Sequence, residues 1–256
     1  MSKKYRMSRI FRPSTGNTLI LPIDHGVSAG NIAGLENPEK VLKELIIDDV
    51  DAVLMSDGIA DQTESMFYGR GAPARMQVGD VVYFSNGNIY HDLYTDVDTA
   101  ARKGFDCIKL IMYWDRPAKE QMKTVQIITK VIKDAEKWDI PVLVEPVTFD
   151  PIEDAEERIK ILSDGARIAY ELGADILKLP HPGNKEVLSN WVNKFNVPII
   201  LLGGSVNGEV ESIVNQVDEA VSLGVKGVAI GRNLWQRPRE DAKQLLTSFA
   251  KVIHKQ

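Results

Sequence analysis

The sequence predicts a parallel α/β fold, a single (β/α)8 barrel, and three observations carry that expectation. Short β-branched runs alternate with longer segments in which apolar residues recur at helical spacing. Glycines stand at the ends of several helical segments, just before the next strand. No Pro/Gly/Ser-rich linker or break in composition divides the 256 residues, which are enough for one barrel of about 250. The domain expectation is therefore one unit, residues 1–256. A doubly wound open sheet is the alternative.

Taken in order, strands are expected over residues 18–24, 52–56, 81–85, 107–112, 142–145, 176–179, 199–202 and 227–230, each a short apolar or β-branched run. Helices are expected over 38–48, 117–138, 152–172, 184–195, 208–223 and 239–254. The second and third crossovers show no clear helical pattern. Lys103-Gly104, Leu172-Gly173 and Leu223-Gly224 match a glycine cap feeding a short return to the sheet.

Composition narrows the function classes. With 44% hydrophobic and 26% charged residues the chain is neither disordered nor fibrous. Lys and Arg total 31 against 36 acids, so a net charge of −5 argues against the dense basic face of a nucleic-acid binder but leaves small anions as ligands. Cys107, the lone cysteine, has no intrachain partner and lies in an apolar run, which reads as a buried thiol rather than a nucleophile. The N-terminal stretch is basic without an apolar h-region, and no run approaches eighteen apolar residues. A cytoplasmic protein with no membrane partner is the expectation.

The C-terminal ends of barrel strands carry the chemistry. The first strand opens into Asp24-His25-Gly26, a carboxylate and an imidazole that either touch substrate or merely cap a turn. Lys109 and Lys178 are embedded in apolar fourth and sixth strands, where a cation must face a polar interior site or pair with an acid. Neighbouring cations depress each other's pKa, and burial acts the same way, favouring a neutral amine able to attack a ketone. Glu145 ends the fifth strand between them, as ion-pair partner or proton shuttle. Gly203-Gly204-Ser205 and Gly231-Arg232 follow the last two strands, where barrels hold phosphate. His181 follows Lys178 closely and is a candidate substrate contact; His91 reads as part of a solvated loop and His254 as tail. His25, His181 and Asp24 lack compact ligand spacing, so no metal site is assigned.

At Asp24-His25-Gly26, at Leu177-Lys178-Leu179-Pro180 through Gly183, at Gly203-Gly204 and at Gly231-Arg232-Asn233 the sequence resembles the class I aldolase superfamily that groups deoxyribose-phosphate and archaeal-type fructose-bisphosphate aldolases. The resemblance spans nearly the whole chain. It implies that Lys178 on strand six forms a Schiff base. The archaeal group carries Tyr-Pro-Arg-Gly after strand five, whereas Glu145-Pro146-Val147-Thr148-Phe149-Asp150 stands here. That stretch, with residues 109–114 and 231–235, is similar to tagatose-bisphosphate and sulfofructose-phosphate aldolases. It implies Glu145 as proton shuttle, assisted by Lys109.

The resemblance thus implies a class I aldolase cleaving a ketose 1-phosphate, with a phosphate or sulfonate at the far end, into dihydroxyacetone phosphate and an aldehyde. Neither a metal nor an organic cofactor is implied. Asp24 would bind substrate hydroxyls or relay protons, and Gly204, Ser205, Gly231 and Arg232 would hold the 1-phosphate, while the loops at 27–32 and 57–75 would build the aldehyde pocket. The related alternatives are an aminodeoxy-heptulosonate synthase and a phospho-dione thiolase. A non-catalytic sugar-phosphate-binding regulator is the alternative from another class. The partner is a phosphorylated sugar, not nucleic acid, and the resembling families are multimeric, so a homo-oligomer is expected.

Overall fold

Eight parallel strands close on themselves in the computed structural model, which describes residues 1–46, 49–69, 71–203 and 210–255. In chain order the strands are β1 (Thr18–Pro22), β2 (Ala52–Met55), β3 (Ala74–Val78), β4 (Asp80–Ser85), β5 (Asn88–Leu93), β6 (Cys107–Tyr113), β7 (Val142–Val147), β8 (Ile176–Leu179), β9 (Ile199–Leu202) and β10 (Gly227–Ala229). The barrel runs β1-β10-β9-β8-β7-β6-β3-β2, and β4 and β5 form a separate antiparallel hairpin. The helices are α1 (Lys3–Ile10), α2 (Gly26–Ala29), α3 (Pro38–Leu45), α4 (Asp57–Gln62), α5 (Val97–Arg102), α6 (Ala118–Glu136), α7 (Ala155–Leu172), α8 (Lys185–Lys194), α9 (Val210–Ser222), α10 (Arg232–Trp235) and α11 (Arg239–His254). The fold is a (β/α)8 barrel.

One strand departs from expectation. Residues 81–85 do not form the third barrel strand; β3 takes that place and 81–85 belong to the first arm of the hairpin. Arg75 and Gln77 interrupt the apolar run of β3, so its β-signal is weaker than that of Val81-Val82-Tyr83-Phe84, which pairs across the hairpin instead. Gln77 is buried; its Nε2 donates to Thr95 Oγ1 at 3.2 Å and to Asp57 Oδ1, while its Oε1 has no hydrogen-bond partner among the described residues.

Local chemistry explains the helix starts and stops. Asp154 accepts from the N–H groups of Glu156 and Glu157 at 2.8 and 3.0 Å, capping α7. Gly173 ends that helix at φ +101°, a left-handed geometry that glycine adopts without a Cβ penalty. Where β10 meets β1 to close the barrel, a Cβ on Gly227 would lie 1.8 Å from the Thr18 carbonyl oxygen.

Inside the barrel, Ile20, Leu54, Met76, Cys107, Leu143 and Ile200 belong to one apolar cluster, which Ile10 and Phe11 of the α1 segment complete. A second, larger cluster lies between strands and helices. The α1 segment is fastened where strands begin: Lys3 Nζ is 2.9 Å from Asp175, Arg9 Nε 3.0 Å from Asp106 and Arg12 Nε 3.0 Å from Asp51. The same carboxylates accept the strand-entrance N–H groups of Val142, Arg75 and Leu19. His254, in the tail and at the end of the helix expected over 239–254, is buried at the end of α11, with Nε2 3.1 Å from Asp51 and Nδ1 3.2 Å from Thr15 Oγ1.

Candidate active site

Side chains two residues apart on a strand share a face. Cys107, Leu143 and Ile176 lie in the interior cluster, so Lys109, Glu145 and Lys178, two residues further along β6, β7 and β8, occupy the next level of the same interior. All three are at least nine-tenths buried. Glu145 bridges the lysines, with Oε1 2.8 Å from Lys178 Nζ and Oε2 3.0 Å from Lys109 Nζ. Asp24, just beyond β1, adds its Oδ2 at 3.8 Å from Lys109, while Oδ1 is 3.4 Å from His25 Nδ1. His25 meets the Trp235 ring edge-on, centroids 5.3 Å apart.

The electrostatics correct one expectation. Lys109 is not driven toward neutrality: burial pushes its pKa down, but Glu145, Asp24 and Asp80 together hold it above the ordinary lysine value. Burial likewise pushes the Glu145 carboxyl up, and the two ammonium groups more than reverse this, leaving it below the usual carboxylate range. His25 moves down, first through burial and then through Lys178, Arg232 and Lys109, with Asp24 opposing. Cys107 is fully buried and burial pushes its thiol up, which suits packing rather than nucleophilic attack.

These groups form the floor of a cavity of about 670 Å³ at the C-terminal ends of the strands. Gly203, Gly231 and Arg232 line it at β9 and β10, and a Cβ on Gly231 would sit 2.9 Å from the Pro22 carbonyl oxygen. Arg232 has no carboxylate partner within ion-pair distance among the described residues, so its charge remains available to a ligand. Gly204 and Ser205 lie outside the described residues. His181 is absent from the cavity wall: its Nδ1 accepts the Gly183 N–H at 3.0 Å, and its carbonyl accepts from Arg158 at 2.8 Å. Of the two loops expected to shape the aldehyde end, Val27, Ser28 and Ala29 line the cavity, but no described residue of 57–75 does. The hairpin takes their place.

Several lining residues went unrecognised in the sequence. Asp80 is buried against the cavity, its Oδ2 accepting from Ile111 N and contacting His91 Nε2, both at 2.8 Å. His91, expected in a solvated loop, is therefore buried, with Nδ1 3.0 Å from Thr124 Oγ1. Placing the third strand at 74–78 would have put Asp80 at a strand end, as Asp24 is. Tyr113 stands above Lys109 on β6; burial chiefly, then Glu145 and Asp80, push its phenol up to about 12, with Lys109 opposing, so it remains a hydrogen-bond donor. Among the described residues no group of three or more His, Cys, Asp or Glu is placed to hold a metal ion.

Residues 18–237 match the family model described as DeoC/LacD family aldolase. The chain belongs to that family. Among relatives of this DeoC/LacD aldolase, an uncharacterised aldolase of Saccharolobus solfataricus is 31% identical, the match covering 99% of this chain and 95% of the relative. The class 1 fructose-bisphosphate aldolase of Thermoproteus tenax is 27% identical over 93% and 90% of the two chains. A 2-amino-3,7-dideoxy-D-threo-hept-6-ulosonate synthase of Archaeoglobus fulgidus is 29% identical over 92% and 85%. Among solved structures, an archaeal fructose-1,6-bisphosphate aldolase with its catalytic Lys covalently bound to the carbinolamine intermediate superposes with a TM-score of 0.83 at 25% identity, covering 99% of this chain and all of that one. The DeoC/LacD aldolase is thus a lyase with the class I, Schiff-base aldolase fold. No helix among its described residues is long and apolar enough to cross a membrane.

Proposed function

We propose that this aldolase reversibly splits a ketose 1-phosphate into dihydroxyacetone phosphate and an aldehyde, through a Schiff base on Lys178. The observation that carries the reading is the Glu145 carboxylate held between two buried lysines, 2.8 Å from one and 3.0 Å from the other. Lys178, after giving up a proton, attacks the C2 ketone, and loss of water leaves an iminium. Glu145 takes the C4 hydroxyl proton as the C3–C4 bond breaks; its electrons flow into the iminium, giving an enamine and releasing the aldehyde. Protonation at C3 and addition of water then free dihydroxyacetone phosphate and the amine.

Lys109 keeps Glu145 ionised, Asp24 receives substrate hydroxyls, and Arg232 with the Gly203 and Gly231 backbones holds the 1-phosphate. The similarity to the heptulosonate synthase supports a second reading, transfer of the enamine to another acceptor, which product analysis separates from simple cleavage. The assembly proposed is a closed homo-oligomer, and monomeric mass in light scattering at micromolar concentration would refute it.

Borohydride trapping tests the covalent step. Incubation with dihydroxyacetone phosphate and then borohydride is expected to give a stable adduct on the peptide carrying Lys178, lost together with turnover in Lys178→Met. An adduct on Lys109 would exchange the roles of the two lysines. Chelator-sensitive turnover persisting in Lys178→Met, with no adduct anywhere, would replace the Schiff base with a metal-assisted enolate.

A further inference from the structure

The cavity is chemically two-sided, and the barrel order says which side faces which. β6 stands diametrically opposite β10 in the closed ring. The β9 and β10 side carries Gly203, Gly231 and Arg232, which has no carboxylate partner among the described residues. Across the mouth, over β3, β6 and β7, the wall is Val82 and Phe84 of the hairpin with Tyr113, Val147 and Phe149.

These rings form one surface. Phe84 and Phe149 have centroids 5.0 Å apart, and Phe149 meets Tyr113 edge-on at 5.2 Å. The hairpin is braced there, because Val82 N donates to Ser28 Oγ at 3.3 Å and Tyr83 Oη donates to the Val27 carbonyl at 3.1 Å. Phe84 nonetheless remains 56% exposed while facing the cavity, a large apolar surface that the described residues leave more than half uncovered.

No cation among the described residues serves an anion on that side. Lys109 and Lys178 are committed to Glu145 on the floor. Arg158 lines the cavity, but its guanidinium donates to the carbonyls of His181 and Pro182, in the segment after β8. Arg116 lies 5.3 Å from the Phe149 centroid yet outside the cavity lining, paired with Glu120 and Asp150. Asp80 adds a buried negative charge on this side, with Oδ1 lacking a hydrogen-bond partner among the described residues. A phosphate placed here would lose its hydration against aromatic rings and face a carboxylate.

We infer that the aldehyde half of the substrate is uncharged and apolar, an aromatic or branched aliphatic aldehyde, and that Phe84 and Phe149 select it. This rests on the aldolase reading for the donor half. It departs from the phosphate or sulfonate that the sequence resemblance implies for the far end.

The test runs the reaction as synthesis, with dihydroxyacetone phosphate as donor and phenylacetaldehyde, isobutyraldehyde or glyceraldehyde 3-phosphate as acceptor. The expected result is a kcat/KM at least about tenfold higher for phenylacetaldehyde than for glyceraldehyde 3-phosphate. Phe84→Ala and Phe149→Ala are each expected to raise the KM for phenylacetaldehyde about tenfold. Phe84→Lys, a change at a half-exposed position, is expected to shift preference toward glyceraldehyde 3-phosphate. Borohydride trapping of the donor, measured in every variant, separates loss of fold from loss of acceptor. Preference of the parent enzyme for glyceraldehyde 3-phosphate, or unchanged phenylacetaldehyde kinetics in trapping-competent alanine variants, would overturn the inference while leaving the aldolase reading intact. Failure of the parent enzyme to trap the donor would remove both.

Discussion

Removing the charge of Glu145 takes the carboxylate partner from the buried Lys178 ammonium and leaves the buried Lys109 ammonium only Asp24, at 3.8 Å. Glu145→Gln is therefore expected to cost about 3–5 kcal/mol of stability at pH 7, read from denaturant unfolding, because half of a buried ionic cluster costs more than no cluster. The sign with pH follows from the carboxyl lying below its unfolded value. Its contribution is complete above pH about 4.3 and declines as pH falls through the folded pKa, so the gap between parent and variant should narrow on acidification. A gap that widened instead would mean that the carboxyl is not the ionised partner. Lys109, Glu145 and Lys178 were legible because a charge inside an apolar strand buried on both faces needs a partner. Asp80 and His91 were not, since their pairing across a hairpin depends on where the preceding strand ends.

Single caps and turns decide how individual elements seat. Asp154→Ala removes the acceptor for two N–H groups at the start of α7 and is expected to cost about 1 kcal/mol, measured by urea unfolding with unchanged m-value. Gly227→Ala is a harsher case, since φ is +133° and the new Cβ would overlap the Thr18 carbonyl. Closure between β1 and β10 should fail, and the variant should show either insolubility or loss of the cooperative transition; a soluble protein of parental Tm would contradict this. At this scale the long helices were readable from periodicity, with ends misplaced by one to three residues where caps rather than hydrophobic spacing set the boundary: residues 152–172 shrink to Ala155–Leu172 because Asp154 supplies the cap. The hairpin escaped notice because β4 carries a stronger β-branched and aromatic run than the true third strand.

The barrel as a whole followed from alternation, which is insensitive to one misassigned strand: β3 precedes β4 by a single residue, so the ring still counts eight. What alternation leaves open is which end of the ring is accessible. Ile10 and Phe11 complete the interior cluster beneath the lysines, and α1 is fastened over the strand entrances by Lys3 and Arg9, with Arg12 just beyond it. The floor bearing Lys109, Glu145 and Lys178 is thus closed from beneath by described residues, which turns a packing detail into a traffic rule. On the proposed Schiff-base route, the water that hydrolyses the last covalent species would use the passage by which the aldehyde departs. The aldehyde would leave first and dihydroxyacetone phosphate second, since the donor half stays bonded to the lysine until water adds. Steady-state kinetics should show it: dihydroxyacetone phosphate inhibiting competitively against the ketose and the aldehyde in a mixed pattern, whereas competitive inhibition by the aldehyde alone would mean that the donor half leaves first, against a Schiff base that holds it.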